Sequence, residues 1–209
     1  MTFPDLLEKL IMIAIFLGIA FPVHEFAHAW VAYLRGDSTA RMFGRMTLNP
    51  IVHFDPFGGA MTAISIFLGG FLFGWAKPTP VNTINLRNRK NDEVLVALAG
   101  PAANLVMAML GAIVIRIALA LNLGLPDLVW TALSDFLIFN IMLAIFNMIP
   151  IPPLDGGTLL FRFLSPKQTW QIRPILAQYG MFIILGVVLI AGPLLSRVIY
   201  SVASFLVGA

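Results

Sequence analysis

Residues 10–28 read LIMIAIFLGIAFPVHEFAH, an apolar run that ends in three ionisable side chains. Residues 10–24 contain no Asp, Glu, Lys or Arg, and a transmembrane helix requires roughly 20 predominantly apolar residues. The run lacks the small-residue cleavage site of a signal peptide and continues apolar beyond it. We therefore predict a retained membrane helix over residues 6–34 that carries a buried polar site.

The composition of the whole chain also indicates a membrane protein. Of its 209 residues, 59% are hydrophobic and 11% are charged, whereas soluble proteins average about 45–50% and about 25%. Four further stretches contain no Asp, Glu, Lys or Arg, namely 56–76, 94–115, 136–154 and 174–196. We predict one all-α polytopic membrane domain over residues 1–209, with about four to six transmembrane or re-entrant segments.

Composition also excludes several kinds of site. The net charge is +3, and these few basic residues give no electrostatic footprint for nucleic acid. The chain has no cysteine, which excludes disulfides, iron–sulfur clusters, thiolate zinc sites and a thiol nucleophile. Any metal ion must therefore be held by His, Asp or Glu.

The distribution of Lys and Arg predicts how residues 57–76 lie in the membrane, because positive residues accumulate in cytoplasmic loops. Counting all Lys and Arg residues except Arg116 and Arg197, the division between the two sides is 8 to 3 if the segment crosses fully and 10 to 1 if it dips in and returns. The re-entrant arrangement fits the rule better and places the N-terminus outside the cytoplasm. The ten residues on the cytoplasmic side are then Arg35, Arg41, Arg45, Lys77, Arg87, Arg89, Lys90, Arg162, Lys167 and Arg173.

His24 and His28 are spaced as metal ligands within the first apolar helix. Side chains at positions i and i+4 lie on one helical face, where both imidazoles can reach a single zinc ion. Glu25, between them, can accept a proton from metal-bound water. An HExxH pattern also arises by chance in helices, but ionisable groups inside a membrane segment are costly and usually functional.

A catalytic zinc site keeps three protein ligands, and the candidates for the third are His53, Asp55, Asp135 and Asp155. Asp155 is favoured because it follows a proline-rich break at residues 147–154, and such a break within a membrane is tolerated where it lines a cavity. Asp135 is expected near the outer end of its span. His53 and Asp55 lie in a turn-like cluster, where His53 is expected to have at most a supporting role.

These motifs resemble those of the site-2 protease family of intramembrane zinc metalloproteases. The resemblance rests on HExxH at residues 24–28, NxxPxPxLDG at residues 147–156 and GPAAN at residues 100–104. The stretches GRMTLNPIVHFDPFG (44–58) and GWAKPTPVN (74–82) are similar to those of the compact bacterial and archaeal branch. Unlike larger family members, this chain shows no PDZ or CBS domain.

The resemblance implies one zinc ion per chain, held by His24, His28 and Asp155, with Glu25 as general base. It makes Asn147 and, more weakly, Asn104 candidates for holding substrate or an oxyanion. The alternative for both amides is a hydrogen bond between helices. The catalytic core would cover about residues 6–165, followed by a hydrophobic segment at 174–208 that forms one helix or two halves.

The resemblance also implies a substrate and a location. The substrate would be a transmembrane helix of another protein, cut within the bilayer during regulated intramembrane proteolysis. The enzyme would be a multi-pass protein of a prokaryotic cytoplasmic membrane, with its active site nearer the cytoplasmic side. Residues 45–48 and 79–83 are predicted to be short strands of a small membrane-associated β-hairpin that captures the substrate, or else plain loop.

Two other functions stay open from the sequence. A catalytically silent homologue would bind membrane partners without cutting them. An ion transporter would use the same buried His, Glu and Asp side chains as a relay, although the chain offers no convincing inverted repeat of the kind that many transporters carry.

Overall fold

The structure, a computed structural model, describes residues 2–68 and 74–208. Within these ranges the chain is helical, with irregular connections. In chain order the helices are α1 (Phe3–Ile15), a π-helical turn (Phe16–Ala20), α2 (Phe21–Leu34), α3 (Thr39–Met42), α4 (Pro50–His53), α5 (Pro56–Leu68), α6 (Arg89–Ala120), α7 (Asp127–Asn147), α8 (Asp155–Phe163) and α9 (Pro166–Val207).

Four helical segments are long and apolar enough to cross a membrane, so the predicted all-α polytopic membrane fold is confirmed. They are Phe3–Leu34, Arg89–Ala120, Asp127–Asn147 and Pro166–Val207. The last is a single helix of 42 residues that continues through Pro174 and Pro193. At 1.5 Å per residue its length is about 63 Å, so it extends well beyond a hydrocarbon core of about 30 Å.

The first span contains α1, the π-helical turn and α2 without interruption. Pro22 has no backbone N–H and crowds the carbonyl four residues before it, which is that of Gly18. The wider π-helical turn at Phe16–Ala20 surrounds that position and accommodates the proline without ending the helix. His24, Glu25 and His28 follow within the next turn and a half.

Helix α6 lies at the centre of the molecule and packs against α2 and α7. Ala108 and Ala112 of α6 are buried against Leu137 and Ile141 of α7, together with Ile199 of α9. Small side chains at such contacts allow membrane helices to approach closely, which strengthens their packing.

Aromatic contacts fix the π-helical turn against α7. The Phe16 ring lies edge-on to Phe21 and to Phe139, with centroid separations of 4.7 and 5.3 Å. Such edge-on pairs are favourable beyond the area that they bury. The helix is thus anchored to α7 directly before His24.

Helix α5 has 13 residues and is about 20 Å long, which is too short to cross a hydrocarbon core of about 30 Å. The predicted re-entrant segment also includes residues 69–73, which lie outside the described ranges. The chain has returned to its starting point by Lys77, whose backbone N–H donates to the His53 carbonyl at 2.8 Å. The two ends of segment 57–76 therefore lie side by side, as a re-entrant path requires.

The polar loops on either side of that segment contact each other. The Arg87 N–H donates to the Arg35 carbonyl at 3.0 Å. Buried Asp37 accepts hydrogen bonds from the Asn82 N–H at 2.7 Å and from the Asn85 amide at 3.0 Å. Burial alone would raise the pKa of Asp37, but its hydrogen bonds hold the pKa below the ordinary value. This carboxylate ties the two loops together.

The predicted β-hairpin is not formed within the described residues, so that prediction is wrong. Residues 79–83 follow an irregular path because the prolines that flank Thr79 have no N–H to donate to a strand partner. The Thr79 N–H itself is used by the Glu25 carboxylate. Residues 45–48 form bends that lead into α4.

Candidate active site

The imidazoles of His24 and His28 project from one face of α2, and both side chains are buried. The Nδ1 atom of His24 lies 2.6 Å from the side-chain oxygen of Asn104, and Nδ1 of His28 lies 2.7 Å from the Val96 carbonyl. Each of these oxygens is an acceptor, so each Nδ1 carries the hydrogen and donates it. The Nε2 atom of each ring is thereby left free of hydrogen and could bind a metal ion.

Asp155 reaches the same place from the break after α7. Helix α7 ends at Asn147, and α8 begins at Asp155 itself. The turn between them is tight, because a Cβ added at Gly156 would lie 2.5 Å from the Met148 carbonyl oxygen. A glycine at this position therefore allows the carboxylate to turn back towards α2.

His24, His28 and Asp155 form a compact group that we call the ligand cluster. The two Nε2 atoms are 3.0 Å apart, and they lie 3.2 and 3.3 Å from the two Asp155 oxygens. Tetrahedral zinc ligands at about 2.0–2.1 Å from the metal are separated by roughly 3.3 Å. One Asp155 oxygen is buried and makes no hydrogen bond, and the two Nε2 lone pairs repel unless a cation lies between them. The donor set therefore fits a zinc ion.

Gly100 brings α6 directly against the ligand cluster. A Cβ added at this position would lie 2.6 Å from Nε2 of His24 and even closer to Nε2 of His28. Real Cβ atoms essentially never approach that closely. Only glycine therefore allows the helix to pass behind both imidazoles without displacing them.

Asn104 lies on α6 and supports His24. It is completely buried, and its amide group donates to the Ala20 carbonyl at 3.3 Å and to the Asn140 side-chain oxygen at 2.9 Å. Because both ends of the carboxamide are engaged, Asn104 positions His24 and joins helices, which is the alternative that the sequence left open; its contact with substrate or an oxyanion stays a prediction. Asn140 was missed from the sequence, although an amide within the charge-free stretch 136–154 is a signal for an interhelical hydrogen bond.

Glu25 is oriented by the loop that follows segment 57–76. Its carboxylate accepts a hydrogen bond from the Thr79 N–H at 2.7 Å, and the Thr79 hydroxyl donates to the Glu25 backbone carbonyl at 3.0 Å. The glutamate is buried beside the two histidines. This role of Thr79 was also missed from the sequence, since it joins residues 54 positions apart.

A cavity of about 270 Å³, which we call the polar chamber, is lined by the ligand cluster, Glu25 and Thr79. Asn147 lines it, and the Asn147 amide donates to the Leu143 carbonyl at 3.0 Å. Asn147 thus lies beside Glu25 and the ligand cluster, and its predicted contact with substrate stays a prediction. The chamber is also lined by the polar side chains of Thr83, Glu93 and Thr158.

The other candidate ligands lie outside the ligand cluster. The His53 ring contacts the Thr47 carbonyl at 2.8 Å, which gives it a supporting role in its own loop. Asp55 accepts from the Gly58 N–H at the start of α5, at 2.8 Å. Asp135 lies within α7. In the part of the chain that the structure describes, none of the three joins His24 and His28.

Comparisons with known proteins agree with this geometry. The model of Peptidase family M50 matches residues 12–129 and 120–191. YwhC of Bacillus subtilis is 38% identical over 195 residues, which are 90% of this chain and 84% of the relative. Rip2 of Mycolicibacterium smegmatis is 32% identical over 181 residues, 84% of this chain and 64% of the relative. Both relatives are named provisionally as zinc metalloproteases. No solved structure matches the chain.

Proposed function

Since the chain belongs to peptidase family M50, the site-2 protease family, we propose that it cleaves a transmembrane helix of another membrane protein within the bilayer. The predicted family is confirmed, and the protein is a metalloprotease integral to the membrane. One observation carries the proposal: His24, His28 and Asp155 converge beside Glu25 in a cavity lined by α2, α6, α7, α8 and the loop at residues 78–83.

We propose His24, His28 and Asp155 as the ligands of one zinc ion. When bound, zinc acts as a Lewis acid that polarises the scissile carbonyl and lowers the pKa of bound water. Asn104 and the Val96 carbonyl hold the two imidazoles in the tautomer that zinc requires.

Glu25 is the proposed general base. Its carboxylate is held beside the ligand cluster by the Thr79 N–H, where it can accept a proton from the attacking water and pass it to the departing amine. The Asn147 amide lines the same chamber. It is the proposed donor to the substrate carbonyl oxygen as negative charge develops there.

The location follows from charge and depth. The loops that carry ten Lys and Arg residues would face the cytoplasm of a prokaryotic cell. His24 lies 11 residues before Arg35, which is about 16 Å along a helix, so the site lies within the membrane but nearer the cytoplasmic side. The proposed catalytic core is residues 6–165 of a single domain, and regulated intramembrane proteolysis is its proposed role.

The test is cleavage of a tagged single-helix membrane substrate by the purified, zinc-loaded protein in detergent. The matched control is Glu25→Gln, because glutamine keeps an oxygen that accepts from the Thr79 N–H but cannot take up the proton. The variant should retain its fold and its zinc, while its cleavage rate should fall by at least about 10² to 10⁴.

The same assay separates the alternative functions. A silent homologue would bind zinc and the substrate without cutting it. A transporter would show ion flux in liposomes and no cleavage. Equal cleavage by the wild-type protein and Glu25→Gln would contradict the proposed mechanism.

A further inference from the structure

A second cavity, of about 250 Å³, lies next to the polar chamber, and we call it the apolar chamber. It shares His24, Glu25 and Asn147 with the polar chamber. Its remaining walls are mostly apolar and come from the first span, α7, α9, residues 74–78 and the loop at residues 153–154. They include Phe16, Phe21, Leu143, Phe146, Met181 and Ile184.

The apolar chamber is open at its rim, where Met181 lies, and its volume is enough to hold a large side chain. For comparison, an apolar cavity of about 150 Å³ already binds benzene. Apolar cavities with a few convergent polar groups are typical ligand sites. Here the convergent groups are those that the proposed reaction uses.

The position of the chamber indicates what fills it. A peptide bond placed at Glu25 and the ligand cluster would present a neighbouring side chain to the apolar chamber. That side chain would lie against fixed walls, because four of the lining residues are buried, namely Phe16, Phe21, Leu143 and Ile184. A polar side chain there would lose its hydrogen bonds with water.

We propose that the apolar chamber is a specificity subsite that binds one large aliphatic or aromatic side chain of the substrate, next to the scissile bond. This inference rests on the proposed function. Lipid tails are as apolar as the chamber, so selectivity comes from close packing against its walls. Side chains are therefore selected by size, and a small one leaves the chamber partly empty.

Helix α9 contributes to this subsite although none of the catalytic motifs lies on it. A Cβ added at Gly180 would collide with the Pro152 carbonyl oxygen, so α9 packs directly on the loop that precedes Asp155. Ile184 lies one turn further along α9, is 2% exposed and faces the chamber. The wall at Ile184 is thereby held at a fixed distance from the site.

The test changes the chamber size at one position. Ile184→Phe narrows the chamber, and Ile184→Ala widens it. Ile199→Phe and Ile199→Ala are the matched controls, because Ile199 is a buried isoleucine of α9 in a different cluster. Met181→Trp narrows the chamber from its rim, where Met181 is 46% exposed, and serves if the Ile184 variants fold poorly.

The readout is kcat/KM for membrane substrates that carry Phe, Leu or Ala on either side of the scissile bond. The wild-type protein should prefer Phe or Leu to Ala at one of the two positions by roughly tenfold or more. Ile184→Phe or Met181→Trp should remove or reverse that preference. Ile184→Ala should favour Phe further, and the Ile199 controls should keep the wild-type ratio.

Unchanged ratios in variants that cleave would overturn the subsite. Failure of the proposed function would look different, because the wild-type protein would then cleave none of the substrates. In that case, the affinity of the zinc-loaded proteins for the same substrates tests whether the apolar chamber is a subsite. A size preference that Ile184→Phe removes would support the subsite, and equal binding of the Phe and Ala substrates would refute it.

Discussion

The side-chain oxygen of Asn104 lies 2.6 Å from Nδ1 of His24. These residues are 80 positions apart in the chain, and their contact fixes which ring nitrogen of His24 carries the hydrogen. Asn104 is held in turn by the Ala20 carbonyl and Asn140. The ring nitrogen of His24 that is proposed to bind zinc is therefore set by a network of buried amides.

Replacement of Asn104 with leucine should weaken zinc binding by about 10- to 100-fold, the usual cost of losing the partner of a metal-bound histidine. Asn147→Leu is the control: the Asn147 amide donates to the Leu143 carbonyl, and among the described residues no hydrogen bond joins it to the ligand cluster, so zinc affinity should be unchanged. Competition with a chelator measures both affinities. Wild-type zinc affinity in Asn104→Leu would contradict the positioning role.

Asp155 and His53 should respond differently to removal of their side chains. Asp155→Ala should lose both zinc and cleavage, because it deletes one of three proposed ligands. His53→Ala should keep its zinc, because the His53 ring contacts the Thr47 carbonyl in a separate loop. Metal analysis of the purified proteins measures their zinc content, and a cleavage assay measures their activity. A zinc-free His53 variant together with a fully loaded Asp155 variant would reverse the assignment.

The parts of the fold that depend on local spacing could be predicted from the sequence. His24 and His28 share a face because of helical periodicity, and the prolines before Asp155 end α7 at the predicted break. Long apolar runs likewise identified the spans. These features need only a few neighbouring residues to be interpreted.

The contacts that complete the site could not be predicted, because they depend on how distant helices pack. The sequence identified Asn104 as a candidate site residue. Whether its side chain contacts substrate or His24 depends on the rotation of α6 about its axis, which the sequence does not show. No feature of the sequence around Thr79 indicated that its backbone N–H donates to the Glu25 carboxylate. The predicted hairpin failed because prolines at 78 and 80 remove the donors that a strand requires, and that signal was already present in the sequence.

Gly100→Ala should disturb the ligand cluster more than its small size suggests. Its Cβ would lie within 2.6 Å of His24 Nε2, so the imidazoles or α6 must move, and such overpacking typically costs about 1–3 kcal/mol. Zinc affinity and thermal stability should both fall. Gly186→Ala in α9 is the control, because nothing lies within 4 Å of its added Cβ. Equal zinc affinity in the two variants would show that α6 is not seated against the imidazoles.

Accessibility of single cysteines should show that residues 57–76 return to the side that they leave. The cysteine-free chain permits clean single substitutions at Met42, Ile84 and Leu121, which are 73%, 77% and 65% exposed. The hydrogen bond between Arg87 and Arg35 joins the loops that carry the first two positions, while Leu121 follows α6 at its far end. In cells, an impermeant thiol reagent should label only Leu121→Cys; in inverted vesicles it should label only Met42→Cys and Ile84→Cys. Labelling of Met42→Cys and Ile84→Cys from opposite sides would mean that the segment crosses the membrane.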